Sequence, residues 1–311
     1  MIIALAAALS WGLADFMGAV STRRAGLLLT MCISQVVTLA VLGIAAATIG
    51  SSGLHLPSGD LAALVLSGIL GAAAYAGFYR ALQLGPVSLV SPIFSAYAVI
   101  TVLLAVALGQ ETIAAAAAAG IVITIGGVVL ASASGQAGQG QPAAPGRGHP
   151  GQGRSGQGHP SQSIPGQPAS RRTGIWLALA AMVCWGVTTY ILGRSAERLG
   201  WFVPVAASRV VTFAILLAVT AVAALGHRVH RPRPGDLALP AIAGLFDVLA
   251  FLAYTRASQG GSVSVAAAAS ACFPLIVIAG GVLVFGERLR RVQILGVGLT
   301  IAGLLVLGVG R

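Results

Sequence analysis

The stretch 134-SGQAGQGQPAAPGRGHPGQGRSGQGHPSQSIPGQPASRR-172 lies between two long apolar runs. It is built of Gly, Gln, Pro and Ser, with almost no large apolar side chain. Such a segment cannot bury enough surface to offset its ordering entropy, so its composition predicts a disordered linker. A structureless loop of this length is uncommon inside a compact domain. It therefore marks a junction between two units, residues 1–133 and residues 173–311.

The two units have a membrane composition. The chain has 311 residues, of which 57% are hydrophobic and 8% charged, where soluble domains carry about 25% charged residues. Mean hydropathy is +0.93. The net charge of +11 comes from 18 basic residues, all of them Arg. These sit mostly in short breaks between apolar runs, with no basic helix face and no aromatic–basic alternation. That distribution excludes a nucleic-acid partner and fits loop charges that orient a protein in the bilayer. Cys32, Cys184 and Cys272 stand alone in apolar runs, without metal-ligand spacing and without a disulfide framework. The N-terminal apolar run has no basic segment ahead of it and is followed by further runs, so it reads as a first span, not as a cleaved signal. No Walker loop, HExxH or GxSxG pattern occurs, and no enzyme activity or cofactor is expected.

A bilayer core of about 30 Å takes about 20 apolar residues per helix. On that measure the first unit holds five spans, at residues 3–20, 27–49, 61–82, 87–108 and 113–133. The second holds five more, at 174–192, 202–225, 237–257, 263–285 and 292–310. The breaks carry turn chemistry, as at Gly85-Pro86 and Gly109-Gln110-Glu111. The expected fold is an all-α integral membrane protein with ten transmembrane helices.

The units align with each other. A shift of 174 carries Trp11-Gly12 onto Trp185-Gly186, Arg24 onto Arg198, Gly26 onto Gly200, and Ser34 and Thr38 onto Ser208 and Thr212. After a two-residue insertion the shift becomes 176. It then carries Asp60 onto Asp236, Arg80-Ala81 onto Arg256-Ala257 and Glu111 onto Glu287. In the last span it carries Gly120, Thr124 and Gly127 onto Gly296, Thr300 and Gly303. Ala/Leu runs align by chance, but matched Trp, Asp, Arg and Glu along both units do not. An odd number of spans per repeat places the second repeat upside down relative to the first. Inverted five-helix repeats of this kind build alternating access in many secondary transporters, with the site near the midplane between them.

On these marks the chain resembles the EamA family of the drug/metabolite transporter superfamily. The marks are Ser10-Trp11-Gly12 and Cys184-Trp185-Gly186, the Arg-Ala that ends the third and eighth spans, and Gly286-Glu287-Arg288, which is weaker as Gln110-Glu111-Thr112 in the first repeat. The resemblance covers everything except the linker. It implies a multi-pass plasma-membrane protein that moves a small-molecule substrate, often outward. Protons are a candidate coupling ion, the lipid bilayer is the surrounding partner, and a homodimer is an admissible assembly. The rival expectation is a membrane scaffold or an intramembrane enzyme.

Asp15 is the sharpest site candidate. It lies inside the first span, one turn after Trp11 on the same face, and an acid at bilayer depth costs about 2.5–3.5 kcal/mol on insertion scales. Such a residue tends to face a cavity, where it can take up a proton. Its repeat equivalent is Thr189. The structural reading is an interfacial acid paired with Arg23 or Arg24. Asp247, with Gly71 as its equivalent, either lines the pathway or pairs with Arg209, which replaces Gln35 of the first repeat. Trp11, Trp185, Tyr75, Tyr79, Tyr97 and Tyr254 either line a cavity or pack in the aromatic belt. Glu111 and Glu287 read as acids near helix N-termini, and Arg80 and Arg256 as snorkelling interface residues. Pro92 and Pro274 are expected bend points. Orientation is left open, because the positive-inside rule puts the Arg-rich loops in the cytoplasm while the resemblance puts both termini there. The linker reads as a passive tether, so shortening 136–167 with enough chain left to join the repeats is expected to preserve transport. Loss of activity in a shortened protein that inserts normally would refute the tether.

Overall fold

The computed structural model describes residues 1–49, 57–84, 93–108, 113–133, 168–226, 235, 237–259, 261–285 and 290–309. Among these there is no strand. The helices are α1 (Ile2–Ala25), α2 (Leu27–Ile49), α3 (Ser58–Leu84), α4 (Tyr97–Ala107), α5 (Ala115–Ala133), α6 (Pro168–Leu199), α7 (Val203–Gly226), α8 (Ala238–Gln259), α9 (Val263–Ser270), α10 (Phe273–Phe285) and α11 (Arg291–Val309). Five of these helices, and the stretch Val263–Gly280 that runs across α9 and α10, are long and apolar enough to cross a membrane, and four shorter stretches are apolar as well. The expected linker falls at 134–167 outside the described residues, as do Pro92, Glu111 and Glu287. Helix α6 starts earlier than the span expected from residue 174. Pro168 opens it, in a first turn that has no use for the missing N–H.

The span expected at 263–285 is not one helix. It breaks at Ala271–Cys272 into α9 and α10. There the amide of Cys272 donates to the Ala269 carbonyl (3.4 Å) and that of Leu275 to Cys272 (3.0 Å), bonds three residues apart that tighten the chain. The first half breaks at the equivalent place. Ala96 donates to Ile93 (3.2 Å) and Val99 to Ala96 (3.0 Å), just ahead of α4. Pro274 sits in the first turn of α10, where proline is tolerated. Its counterpart in the first half is Ala98, so proline alone does not make the break.

The most extensive helix contacts run between the halves: α5 with α11, α3 with α6, α1 with α8, and then α3 with α7 and α2 with α8. Equivalent residues make equivalent contacts. A Cβ on Gly12 would lie 2.8 Å from the Phe273 carbonyl oxygen, and one on Gly186 would lie 2.7 Å from that of Tyr97. Each Trp-Gly motif thus presses its glycine onto the broken helix of the other half. The Thr38 hydroxyl donates to the Gly244 carbonyl (3.2 Å) and that of Thr212 to Gly68 (3.0 Å). Such hydroxyls are common links between membrane helices. Matched pairs of this sort, i to j′ and i′ to j, are what a pseudo-two-fold axis produces. Gly26 and Gly200 close α1 and α6 at φ +83° and +78°, a left-handed conformation that glycine adopts without strain.

Candidate functional site

The same two-fold pattern brings the aromatic residues to the centre. Trp11 on α1 meets Phe251 on α8 edge-on, with centroids 5.0 Å apart, and Trp185 on α6 meets Tyr75 on α3 at 5.1 Å. These are equivalent pairs, and edge-to-face packing is the favoured geometry for such rings. Phe94 joins Trp185 at 5.7 Å, and Tyr97 stacks on Phe273 at 6.5 Å across the two helix breaks. Between these rings lies a cavity of about 40 Å³. Its walls are Trp11 and Asp15 from α1, Tyr75 and Phe78 from α3, Trp185 from α6 and Asp247 from α8. Phe94 and Phe273, one on each broken segment, complete it. That volume holds only a few waters, so the cavity is contracted around its polar groups. A larger groove of about 370 Å³ runs between α3 and α7, but its lining, from Leu61 to Val211, is wholly apolar and carries no ionisable group.

The charged groups break the symmetry. Arg209 on α7 is 4% exposed and donates from Nη2 to Asp247 Oδ2 at 2.9 Å. Tyr75 donates its hydroxyl to Asp247 Oδ1 at 3.2 Å. The guanidinium also sits 3.8 Å from the Phe251 ring centroid, a cation–π position. Asp247, 15% exposed, is therefore committed on both oxygens. The expected Arg209 pairing is present, and Asp247 lines the cavity as well. Asp15 differs. It is exposed and lines the cavity, and among the described residues it has no hydrogen-bond or opposite-charge partner. The side chains of Arg23 and Arg24, its alternative partners from the sequence, lie outside the described residues. The Trp11 indole N–H is buried and makes no hydrogen bond among the described residues.

Tyr254 is fully buried and donates its hydroxyl to the Thr189 carbonyl at 2.8 Å. It packs 5.8 Å from Trp11 and supports that ring from behind, outside the cavity lining. Tyr79 lies in α3, and its side chain is outside the described residues. Thr189, the equivalent of Asp15, is buried and bonded to Thr101 at 2.7 Å. Sequence reasoning did not single out Phe78, Phe94 and Phe273 as lining. For Phe94 and Phe273 the signal was the helix break, which places rings on both sides of one gap; Phe78 follows Tyr75 by three residues on the same face of α3. Arg80 and Arg256 are both exposed near the ends of α3 and α8.

The EamA-like transporter family model matches residues 1–133 and 172–309. No curated protein matches the chain. Among solved structures, one titled "Crystal structure of protein" is similar over 98% of this chain and 94% of its own, at 19% identity and a TM-score of 0.74. At that identity the likeness speaks for the fold alone. With apolar membrane-length helices, an aromatic cavity that carries two acids and a family model that matches both halves, this chain is a multi-pass membrane protein that belongs to the EamA-like transporter family.

Proposed function

We propose that the protein is a secondary transporter that exports a small molecule across the plasma membrane by alternating access, coupled to protons through Asp15. The observation that carries the reading is the Asp15 carboxylate, which has no partner among the described residues, in a cavity where the other acid is held by Arg209 and Tyr75. An acid without a counter-charge at membrane depth is costly, and function is the usual reason it persists. The ten apolar stretches of the described residues support ten spans in two inverted repeats, 1–133 and 168–311, with 134–167 as the linker. The matched helix breaks and glycine contacts support a rocking motion of one half against the other about the cavity. A scaffold would have no use for an uncompensated acid inside it.

The test is Asp15→Asn in proteoliposomes, with and without an imposed pH gradient, on a substrate found by metabolite screening. Uphill transport is expected to disappear while downhill exchange persists. A variant that drives uphill transport on a proton gradient as well as the parent would remove Asp15 as the proton carrier.

A further inference from the structure

We propose that the cavity selects an organic monocation, a protonated amine or quaternary ammonium with a flat apolar body. This deepens the transport reading of the same cavity and rests on it for movement across the membrane. The charge balance carries the inference. Among the described residues, three side chains that can carry charge stand at the centre of the molecule: Asp15, Asp247 and Arg209. Arg209 and Asp247 neutralise each other at 2.9 Å, and Tyr75 occupies the second oxygen of Asp247 at 3.2 Å. The guanidinium also lies against the Phe251 ring, at 3.8 Å. It is 4% exposed and so cannot turn to Asp15 without abandoning all these contacts. Among the described residues this leaves Asp15, exposed and lining the cavity, as the one carboxylate there without an opposite charge, negative whenever it is ionised.

The remaining walls suit the same ligand. Apart from the two acids, every lining side chain is aromatic: Trp11, Tyr75, Phe78, Phe94, Trp185 and Phe273. Ring faces carry negative potential and attract ammonium groups, Trp most strongly. An anion would meet the Asp15 charge and the ring faces together. A neutral solute would leave an ionised Asp15 uncompensated as the site closes around it, a strongly unfavourable buried charge, unless a proton took the cation's place. A cation relieves both terms at once, and its apolar body gains the ring contacts. As found, the cavity of about 40 Å³ is too small for such a body. The rings therefore have to part on binding, and the Phe94 and Phe273 walls stand at the two helix breaks that could let them.

The experiment compares four probes on the purified full-length protein by titration calorimetry. Tryptamine, tryptophol and indole-3-acetate share one ring system and differ in charge. Phenyltrimethylammonium is a cation that cannot give up a proton. Both cations are expected to bind at least tenfold tighter than tryptophol or indole-3-acetate. Asp15→Asn is expected to erase that preference, while Glu197→Gln, an exposed residue paired with Arg194, keeps it. The proposal is overturned if neither cation binds, if the neutral or anionic probe binds as tightly, or if a folded Asp15→Asn protein keeps the tenfold preference. Should Asp15→Asn fail to fold, the ranking of the four probes on the parent protein still decides. Counterflow of the same probes in proteoliposomes separates the two readings. Cation-selective binding without counterflow supports the cation site and sinks transport. Counterflow of a neutral or anionic solute without cation binding overturns the cation site and leaves transport standing.

Discussion

Arg209→Ala is expected to destabilise the protein by about 3–5 kcal/mol, the cost of leaving a buried charge without its partner. Arg209 holds Asp247 at 2.9 Å with only 4% of its side chain exposed, and it also covers the Phe251 ring. Removing it strands Asp247 between apolar helices and opens a void beside Phe251. Replacing both partners, as Arg209→Met with Asp247→Leu, is expected to recover most of the loss, because the pair repays little beyond its own desolvation. The difference between the single and double variants, read as a double-mutant cycle from unfolding in detergent, isolates the coupling. Asp60→Asn is the useful comparison. Its Arg198 partner, at 2.5 Å, is 66% exposed, so water already screens that bridge and the expected cost is under about 1 kcal/mol. An Arg209→Ala protein as stable as Asp60→Asn would show that the central pair is not structurally important.

The second large effect is at the seam of α5 and α11. Gly296→Leu is expected to destabilise by about 3 kcal/mol, the upper end for overpacking, or to separate the two helices. A Cβ at Gly296 would lie 2.7 Å from the Gly127 carbonyl oxygen, and one at Gly127 would lie 2.8 Å from that of Gly296. The equivalent pair, Gly120 and Gly303, gives 3.1 and 2.9 Å. The obstructing atoms are backbone, which cannot swing aside as a side chain can. Only hydrogen at these positions lets the helices meet so closely, as is usual where small residues line membrane helix contacts. Gly126→Ala and Gly298→Ala, on the same two helices with nothing within 4 Å of the added carbon, are expected to leave unfolding unchanged. Equal effects at Gly296 and Gly298 would show that close approach is not what these glycines provide.

Much of this architecture was legible in the residues. Hydropathy marked the apolar runs, because lipid admits only segments that satisfy their own backbone polar groups. The internal register, with Trp11-Gly12 on Trp185-Gly186 and Gly120, Thr124, Gly127 on Gly296, Thr300, Gly303, marked which positions make matching contacts. The register works because a pseudo-two-fold interface places the same demand on both copies. Asp15 and Asp247 stood out by the same logic, since a charge in an apolar run needs a reason. Pro274 marked the neighbourhood of the break at Ala271–Cys272, but the matching break at Ala96 was not legible, because Ala98 stands there in place of the proline and the surrounding residues are all helix-compatible. Nor was the division of labour among the acids. One-dimensional spacing puts Asp15 near Trp11 and gives Asp247 two equal readings. Only the packing of α7 against α8 brings Arg209 within 2.9 Å of Asp247, and only the meeting of α1 with α3, α6 and α8 leaves Asp15 facing the rings. The chain alone determined a near-symmetric membrane scaffold, because apolar periodicity and repeat register are local properties of sequence. Tertiary structure decided which charge is neutralised and which faces the cavity without an opposite charge among the described residues, because that depends on distances between helices far apart in the chain.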